Sequence, residues 1–136
     1  MQMPTATSYT LSTTTSLPFA EAVERVRAEL NTEGLGVLCE IDVQATLREK
    51  LGVETEPYRI LGACNPPLAH RALDAEPDLG TLLPCNVVIY QAGGETHVSA
   101  IDPEKMLSIV ENGDLAPVAR QVREKLGAVI ERVTQA

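Results

Sequence analysis

The segment from Tyr58 to Leu73, YRILGACNPPLAHRAL, constrains the fold more than any other part of the chain. It reads as an apolar strand that reaches Cys64 and then passes through Asn65 into a helix opened by two prolines. The Asn65 side chain can accept a hydrogen bond from a free N–H of the first helical turn, and proline suits that turn because its missing N–H has no partner there. The sequence therefore predicts a strand, a cap and a helix in direct succession.

This arrangement leaves Cys64 just outside a helix N-terminus, which supports two interpretations. The positive end of the helix dipole can favour a thiolate or hold a small anion. A buried cysteine also commonly behaves as a small hydrophobic residue, and Asn and Pro occur in strand-to-helix turns for local reasons. We favour the structural interpretation because inert buried cysteines are much commoner than activated ones.

The composition predicts one domain, residues 1–136, with one core, because 136 residues of which 44% are hydrophobic can bury enough apolar surface. A net charge of −8 opposes binding to nucleic acid or anionic lipid, both of which need clustered Lys and Arg. The first ten residues, MQMPTATSYT, lack the basic and apolar regions of a secretory signal, and no stretch approaches the ~20 apolar residues of a membrane span. We therefore expect a cytoplasmic protein with neither nucleic acid nor membrane as a partner.

Hydrophobic spacing along the chain alternates between the period of a strand and that of a helix. The predicted strands are 7–15, 35–41, 58–64, 82–91 and 95–101, and the predicted helices are 16–33, 42–52, 66–75, 103–110 and 115–135. Ser16 and Asp42 are the expected caps of the first two helices, and Gly34 and Gly52 are their expected ends. The order β-α-β-α-β-α-β-β-α-α favours an α+β two-layer sandwich, a five-stranded, mainly antiparallel sheet covered by helices, over a doubly wound parallel sheet.

Several core positions follow from these elements. The pair Gly93-Gly94 predicts a hairpin, and counting back from it predicts facing pairs on the buried face. These pairs are Ile89 with Val98, Val87 with Ala100 and Cys85 with Asp102. Tyr90 and His97 should pair on the other face, with His97 in solvent. Alternation along 35–41 places Cys39 in the core, and the long apolar stripe of the last helix should cover that core.

The dipeptide Cys-Asn occurs twice, at Cys64-Asn65 leaving one strand and at Cys85-Asn86 entering the next. If these two strands are antiparallel, both pairs lie at the same end of the sheet, and Asp102 joins them through its pairing with Cys85. Two thiols, two amides and a carboxylate beside a helix N-terminus could serve a small anion, a soft metal or thiol chemistry. The sequence thus predicts one candidate site at this end of the sheet.

Four segments resemble the domain-of-unknown-function family numbered 302. They are EIDVQATLREKLG at 40–52, YRILGACNPPLAHRAL at 58–73, LPCNVVIY at 83–90 and AIDP at 100–103. The resemblance implies a compact two-layer domain similar to β-α-β(4)-α, usually dimeric, with no assigned reaction. Its motif residues add Glu40 and Asp42 to the candidate ligand-binding set. The full set is Cys64, Asn65, Cys85, Asn86, Asp102, Glu40 and Asp42.

Three functional hypotheses remain open. The leading one is a non-enzymatic ligand-binding or interaction domain that acts as a homodimer without a cofactor, because two histidines without a placed carboxylate provide no catalytic set. The second is a cysteine-dependent enzyme or redox sensor using Cys64 or Cys85, which requires an exposed thiol of low pKa. The third is a soft-metal site built from the same two cysteines, which fall short of the three or four ligands that hold zinc.

Overall fold

The computed structural model describes residues 7–136 of the chain, and in this range the elements follow the predicted order. The strands are β1 Thr10–Thr15, β2 Gly36–Asp42, β3 Tyr58–Cys64, β4 Cys85–Ala92 and β5 Glu95–Ile101. The helices are α1 Phe19–Thr32, α2 Val43–Leu51, α3 Pro66–Ala75, α4 Pro103–Ser108 and α5 Ala116–Thr134, with short 3₁₀ turns at Pro77–Leu82 and Gly113–Leu115. None of the helices in this range is both long and apolar enough to cross a bilayer.

The five strands form one sheet in the order β1-β5-β4-β3-β2, and every neighbouring pair is antiparallel. The α+β prediction is therefore confirmed. Gly93 and Gly94 both have positive φ, 55° and 83°, which suits a two-residue turn between twisted strands. The hairpin register is also confirmed, since Ile89 faces Val98, Val87 faces Ala100 and Tyr90 faces His97.

The core lies between one face of the sheet and α1, α3 and α5. The apolar stripe of α5 is buried as predicted, and it comprises Val118, Val122, Leu126, Val129 and Val133. Arg132 of α5 donates hydrogen bonds to Glu29 and to Glu33 at the end of α1, each 2.7 Å long. These ion pairs fix the two long helices side by side above the strands.

Local signals set most helix ends correctly. Asp42 accepts a hydrogen bond from the N–H of Ala45 at 2.9 Å, and Gly52 ends α2 with φ 68°. Gly34, with φ 73°, ends α1 in a turn where its N–H binds the carbonyl of Asn31. The predicted cap at Ser16 is wrong. Helix α1 begins later, after Pro18, whose fixed φ suits a helix entry.

The prediction that Cys39 belongs to the core is wrong. Val37 faces Ala63 on the helix-covered side of the sheet, but Cys39 faces Gly62 on the other side, because a bulge at Leu38 inserts one extra residue. Such an insertion reverses the side to which later residues point. Cys39 is consequently exposed.

Two further elements differ from expectation. Helix α2 was expected to cover the sheet like the others, yet none of its residues is buried, and Leu51 is 70% exposed. It lies in the connection between the adjacent strands β2 and β3. Strand β4 begins at Cys85 rather than at 82, because the 3₁₀ turn Pro77–Leu82 extends to that position.

The sheet face opposite the core carries stacked rings. Tyr90 lies between Tyr58 and His97, with ring centroids 5.3 Å and 4.9 Å away. The prediction that His97 is solvated is wrong, since it is 1% exposed, and neither of its ring nitrogens has a hydrogen-bond partner in the described part of the chain. Stacking across neighbouring strands removes this imidazole from water.

Candidate functional site

An apolar cavity of about 290 Å³ lies at the end of the sheet where β3 leads into α3. This volume is just below the range typical of small-molecule pockets, roughly 300–1,000 Å³. Its walls come from the β2 and β3 ends, α3, the 77–82 turn, α4 and α5. Representative lining residues are Cys64, Leu68, Leu79, Cys85, Leu107 and Val122.

The sheet register places both cysteines at the end of the sheet that borders this cavity. Strands β3 and β4 are antiparallel, and Ala63 faces Cys85, so Cys64 and Cys85 lie next to each other at one end of the sheet. The premise of antiparallel strands is thus confirmed. Asn86 does not join them, because side chains alternate along β4 and Asn86 is exposed on the opposite face.

The environment of both thiols favours the neutral form. Burial raises the pKa of Cys64. Burial, followed by the nearby Cys64, raises the pKa of Cys85 from its usual value of 9.0 to about 11. The start of α3 does little to oppose this effect, since Pro66 and Pro67 supply no N–H groups. At neutral pH the two cysteines that border the cavity are therefore both neutral thiols.

Asn65 has a structural role at the mouth of this cavity. Its Oδ1 accepts a hydrogen bond from the N–H of Leu68 at 3.1 Å, which caps α3 as predicted. Its Nδ2 donates to the carbonyl of Gly34, also at 3.1 Å. One side chain thereby ties the start of α3 to the turn between α1 and β2, and its polar atoms are already engaged.

Asp102 lies outside the cavity, and its predicted pairing with Cys85 is wrong. Strand β5 ends at Ile101, and the next residue caps α4 instead, where its carboxylate accepts a hydrogen bond from the N–H of Glu104 at 3.0 Å. The other carboxylate oxygen lies 3.2 Å from Nε of Arg123 on α5. Asp102 therefore anchors α4 to α5.

Glu40 and Asp42 belong to a separate ion cluster on β2. Glu40 accepts hydrogen bonds from Arg27 of α1 and, at 2.6 Å, from Arg59 of β3. These two guanidinium groups, Arg27 first, lower the pKa of Glu40. Asp42 caps α2 and lies 3.5 Å from Arg59. Both carboxylates hold strands and helices together and line no part of the cavity.

The sequence interpretation missed the apolar walls and a third sulfur, that of Met106 on α4. Its apolar spacing in the short helix after Asp102 was visible, but a shared cavity with Cys64 depends on how α4 packs against the sheet. Among residues 7–136, no three His, Cys, Asp or Glu side chains are grouped as a metal centre.

Comparisons with known proteins agree on one family. The model of the family described as Domain of unknown function DUF302 matches residues 11–133. A crystal structure of an uncharacterized conserved DUF302 protein from Bacillus stearothermophilus superposes with a TM-score of 0.87 and 30% sequence identity, covering 93% of this chain and 99% of that one. Among curated proteins, none matches the chain.

The Asn65 contacts generate a stability prediction. Asn65→Ala should lower the free energy of unfolding by about 1–2 kcal/mol, because it removes a helix cap and a second hydrogen bond. Asn86→Ala, the exposed asparagine of the second Cys-Asn pair, should stay within about 0.5 kcal/mol of wild type. Urea midpoints measure both. A neutral Asn65→Ala beside an unfolded Cys64→Ser would contradict this assignment of roles.

The raised pKa of Cys85 predicts a loss of stability in alkali. The unfolded chain releases the Cys85 proton near pH 9.0, whereas the folded protein retains it until about pH 11. The free energy of unfolding should therefore fall across this window by up to about 1.4 kcal/mol per pH unit. In Cys85→Ala that slope should be smaller, as measured by urea unfolding at pH 8 to 11 in the presence of reductant. Equal slopes in both proteins would show that the Cys85 thiol does not resist ionisation.

Proposed function

The chain belongs to the DUF302 family, whose description names no activity, and we propose that it is a non-enzymatic binding domain that acts as a homodimer. Its ligand would be a small uncharged molecule held in the cavity beside Cys64 and Cys85. The observation that carries this proposal is the lining of the cavity, which is almost wholly apolar. The free energy of binding would then come mainly from the burial of apolar surface in the cavity.

The positions of the histidines support a binding role over catalysis. His70 is exposed on α3 and lies 3.8 Å from Asp74, and His97 is buried on the opposite sheet face. Neither lines the cavity. A cysteine nucleophile needs a base or a lowered pKa, while the pKa values of both cavity thiols are raised. These observations count against a cysteine-dependent enzyme or a thiolate-based redox sensor.

The sheet face that carries Tyr58 and Tyr90 supports the homodimer. The strand residues of this face include one carboxylate, that of Glu95, and no lysine or arginine. Two chains that each carry a charge of −8 repel least where charge is absent. The face measures about 20 Å by 24 Å, so two such faces would bury about 1,000 Å², the lower limit of a specific interface.

Free thiols at all three cysteines suit a reducing compartment. The proposal therefore places this binding domain in the cytoplasm.

Filling the cavity should abolish ligand binding. We use 1-octanol as the probe, a neutral apolar molecule, and follow backbone amide shifts by NMR. In wild type, octanol should shift the amides of α3 and α4 that border the cavity. Ala69→Leu, which adds volume at the cavity wall, should weaken those shifts, and Ala20→Leu, an exposed site on α1, should leave them unchanged. Octanol shifts that arise elsewhere, or survive Ala69→Leu, would count against the cavity as the ligand site.

The homodimer is tested by light scattering after size exclusion at micromolar concentration. Wild type should give twice the chain mass of 14.6 kDa. Val88→Glu buries a charge in the proposed interface and should give the monomer mass, because an unpaired charge there is costly. Gln121→Glu adds the same charge on the exposed side of α5 and should leave the dimer intact. A monomeric wild type would refute this part of the proposal.

A further inference from the structure

We propose that the cavity holds one unbranched alkyl chain of about twelve carbons that carries an uncharged head group. This inference rests on the proposed function, and it names the chemical class of the ligand. The observations behind it are the course of the cavity across the end of the sheet, its volume, and the absence of charged side chains among the described residues that line it.

The cavity follows one end of the sheet across four neighbouring strands. Its lining includes Leu35 just before β2, Ala63 near the end of β3, Cys85 at the start of β4 and Pro103 shortly after β5. These strands are consecutive in the sheet. Three strand spacings of about 4.8 Å each give the cavity a length of roughly 14 Å. An extended carbon chain advances about 1.25 Å per bond, so about twelve carbons span this distance.

The volume of the cavity agrees with a single chain of this length. A volume of about 290 Å³ spread over roughly 14 Å gives a mean cross-section of about 20 Å². Carbon atoms contact one another at about 3.5–4.0 Å, so one chain fits this width and two chains side by side do not. An apolar cavity of about 150 Å³ holds the six carbons of benzene, so about 290 Å³ holds about twelve carbons. Length and volume therefore lead to the same size of ligand.

The two ends of the cavity differ in their exposure to solvent. At the β2 end, Leu38 is 67% exposed. At the other end, Leu107 of α4 and Val118 and Val122 of α5 are only 7%, 6% and 8% exposed. The alkyl chain therefore enters beside Leu38, and its methyl end lies against α5. The polar head group remains in water near β2, because burying it without a hydrogen-bond partner is costly.

The head group is uncharged because no side chain at the cavity can pair with a charge. Of residues 7–136, no Lys, Arg, His, Asp or Glu lines the cavity. The amide of Asn65 is already engaged with Leu68 and Gly34. A carboxylate would also be repelled by a chain of net charge −8. Long-chain alcohols, amides and esters therefore fit this site, whereas fatty acid anions do not.

The test is a series of 1-alkanols from six to sixteen carbons, each kept below its solubility limit and followed by the amide shifts of α3 and α4. In wild type, affinity should rise about fourfold for each added CH₂, equivalent to about 0.8 kcal/mol, up to about twelve carbons and then stay level. 1-Decanol should bind about tenfold or more tightly than decanoate at neutral pH. Cyclododecanol, with the same carbons closed into a ring, should bind more weakly than 1-dodecanol.

Substitutions at the buried end should move the limit of chain length. Val122→Phe adds volume there and should weaken dodecanol binding about 16-fold, the effect of leaving two CH₂ groups unburied, with hexanol binding unchanged. Met106→Ala removes part of the α4 wall and should raise the limit. Gln121→Phe adds a ring on the exposed side of α5 and is the matched control, which should bind as wild type does. Thermal melts establish that each variant is folded, and Met106→Ala suffices should Val122→Phe unfold.

The binding function and the alkyl-chain ligand can be refuted separately. The absence of amide shifts with every alcohol would refute the binding function itself. Octanol binding without a rise in affinity along the series, or a length limit that Val122→Phe and Met106→Ala leave unchanged, would overturn the alkyl-chain ligand alone. Equal binding of decanol and decanoate would overturn the uncharged head group, and equal binding of cyclododecanol and dodecanol would overturn the unbranched chain.

Discussion

Burial of one sheet face beneath α5 is the contact on which the rest of the structure depends. Leu126 and Val133 of the helix and Val87 of the sheet are each 0% exposed. Burying a side chain of this size stabilises a fold by about 1.5–3 kcal/mol. The same helix also positions its neighbours through charged contacts, since Arg132 binds the end of α1 and Arg123 binds the cap of α4. The cavity exists because α4 and α5 meet α3 across the sheet end without filling the space between them.

The order of elements and much of the core were predictable because their signals are local. A Gly-Gly turn sets the β4–β5 register, and an asparagine followed by two prolines sets the start of α3. The positions that failed depend on partners far away in sequence. The bulge at Leu38 is visible only against β3, and the burial of His97 requires the ring of Tyr90 on the next strand.

The candidate site shows the same division between local and non-local information. Repetition of Cys-Asn correctly indicated that Cys64 and Cys85 lie at the same end of the sheet, because both pairs flank strands that proved antiparallel. The repeated dipeptide did not indicate that its two asparagines have different positions and roles. Asn65 caps α3. Asn86 lies on the sheet face opposite the core, because side chains alternate along a strand. Nor could the dipeptide reveal the apolar walls, which arise from elements spread over most of the chain.

The bulge in β2 has a consequence for how copies of the chain can associate. Strand β2 lies at the edge of the sheet, where unpaired backbone groups invite the addition of further strands. An extra residue at Leu38 breaks the regular spacing of those groups and locally increases the twist. A second chain would therefore find no continuous ladder along this edge. Open-ended growth by strand addition is thereby discouraged at β2, even though Leu38 itself is 67% exposed.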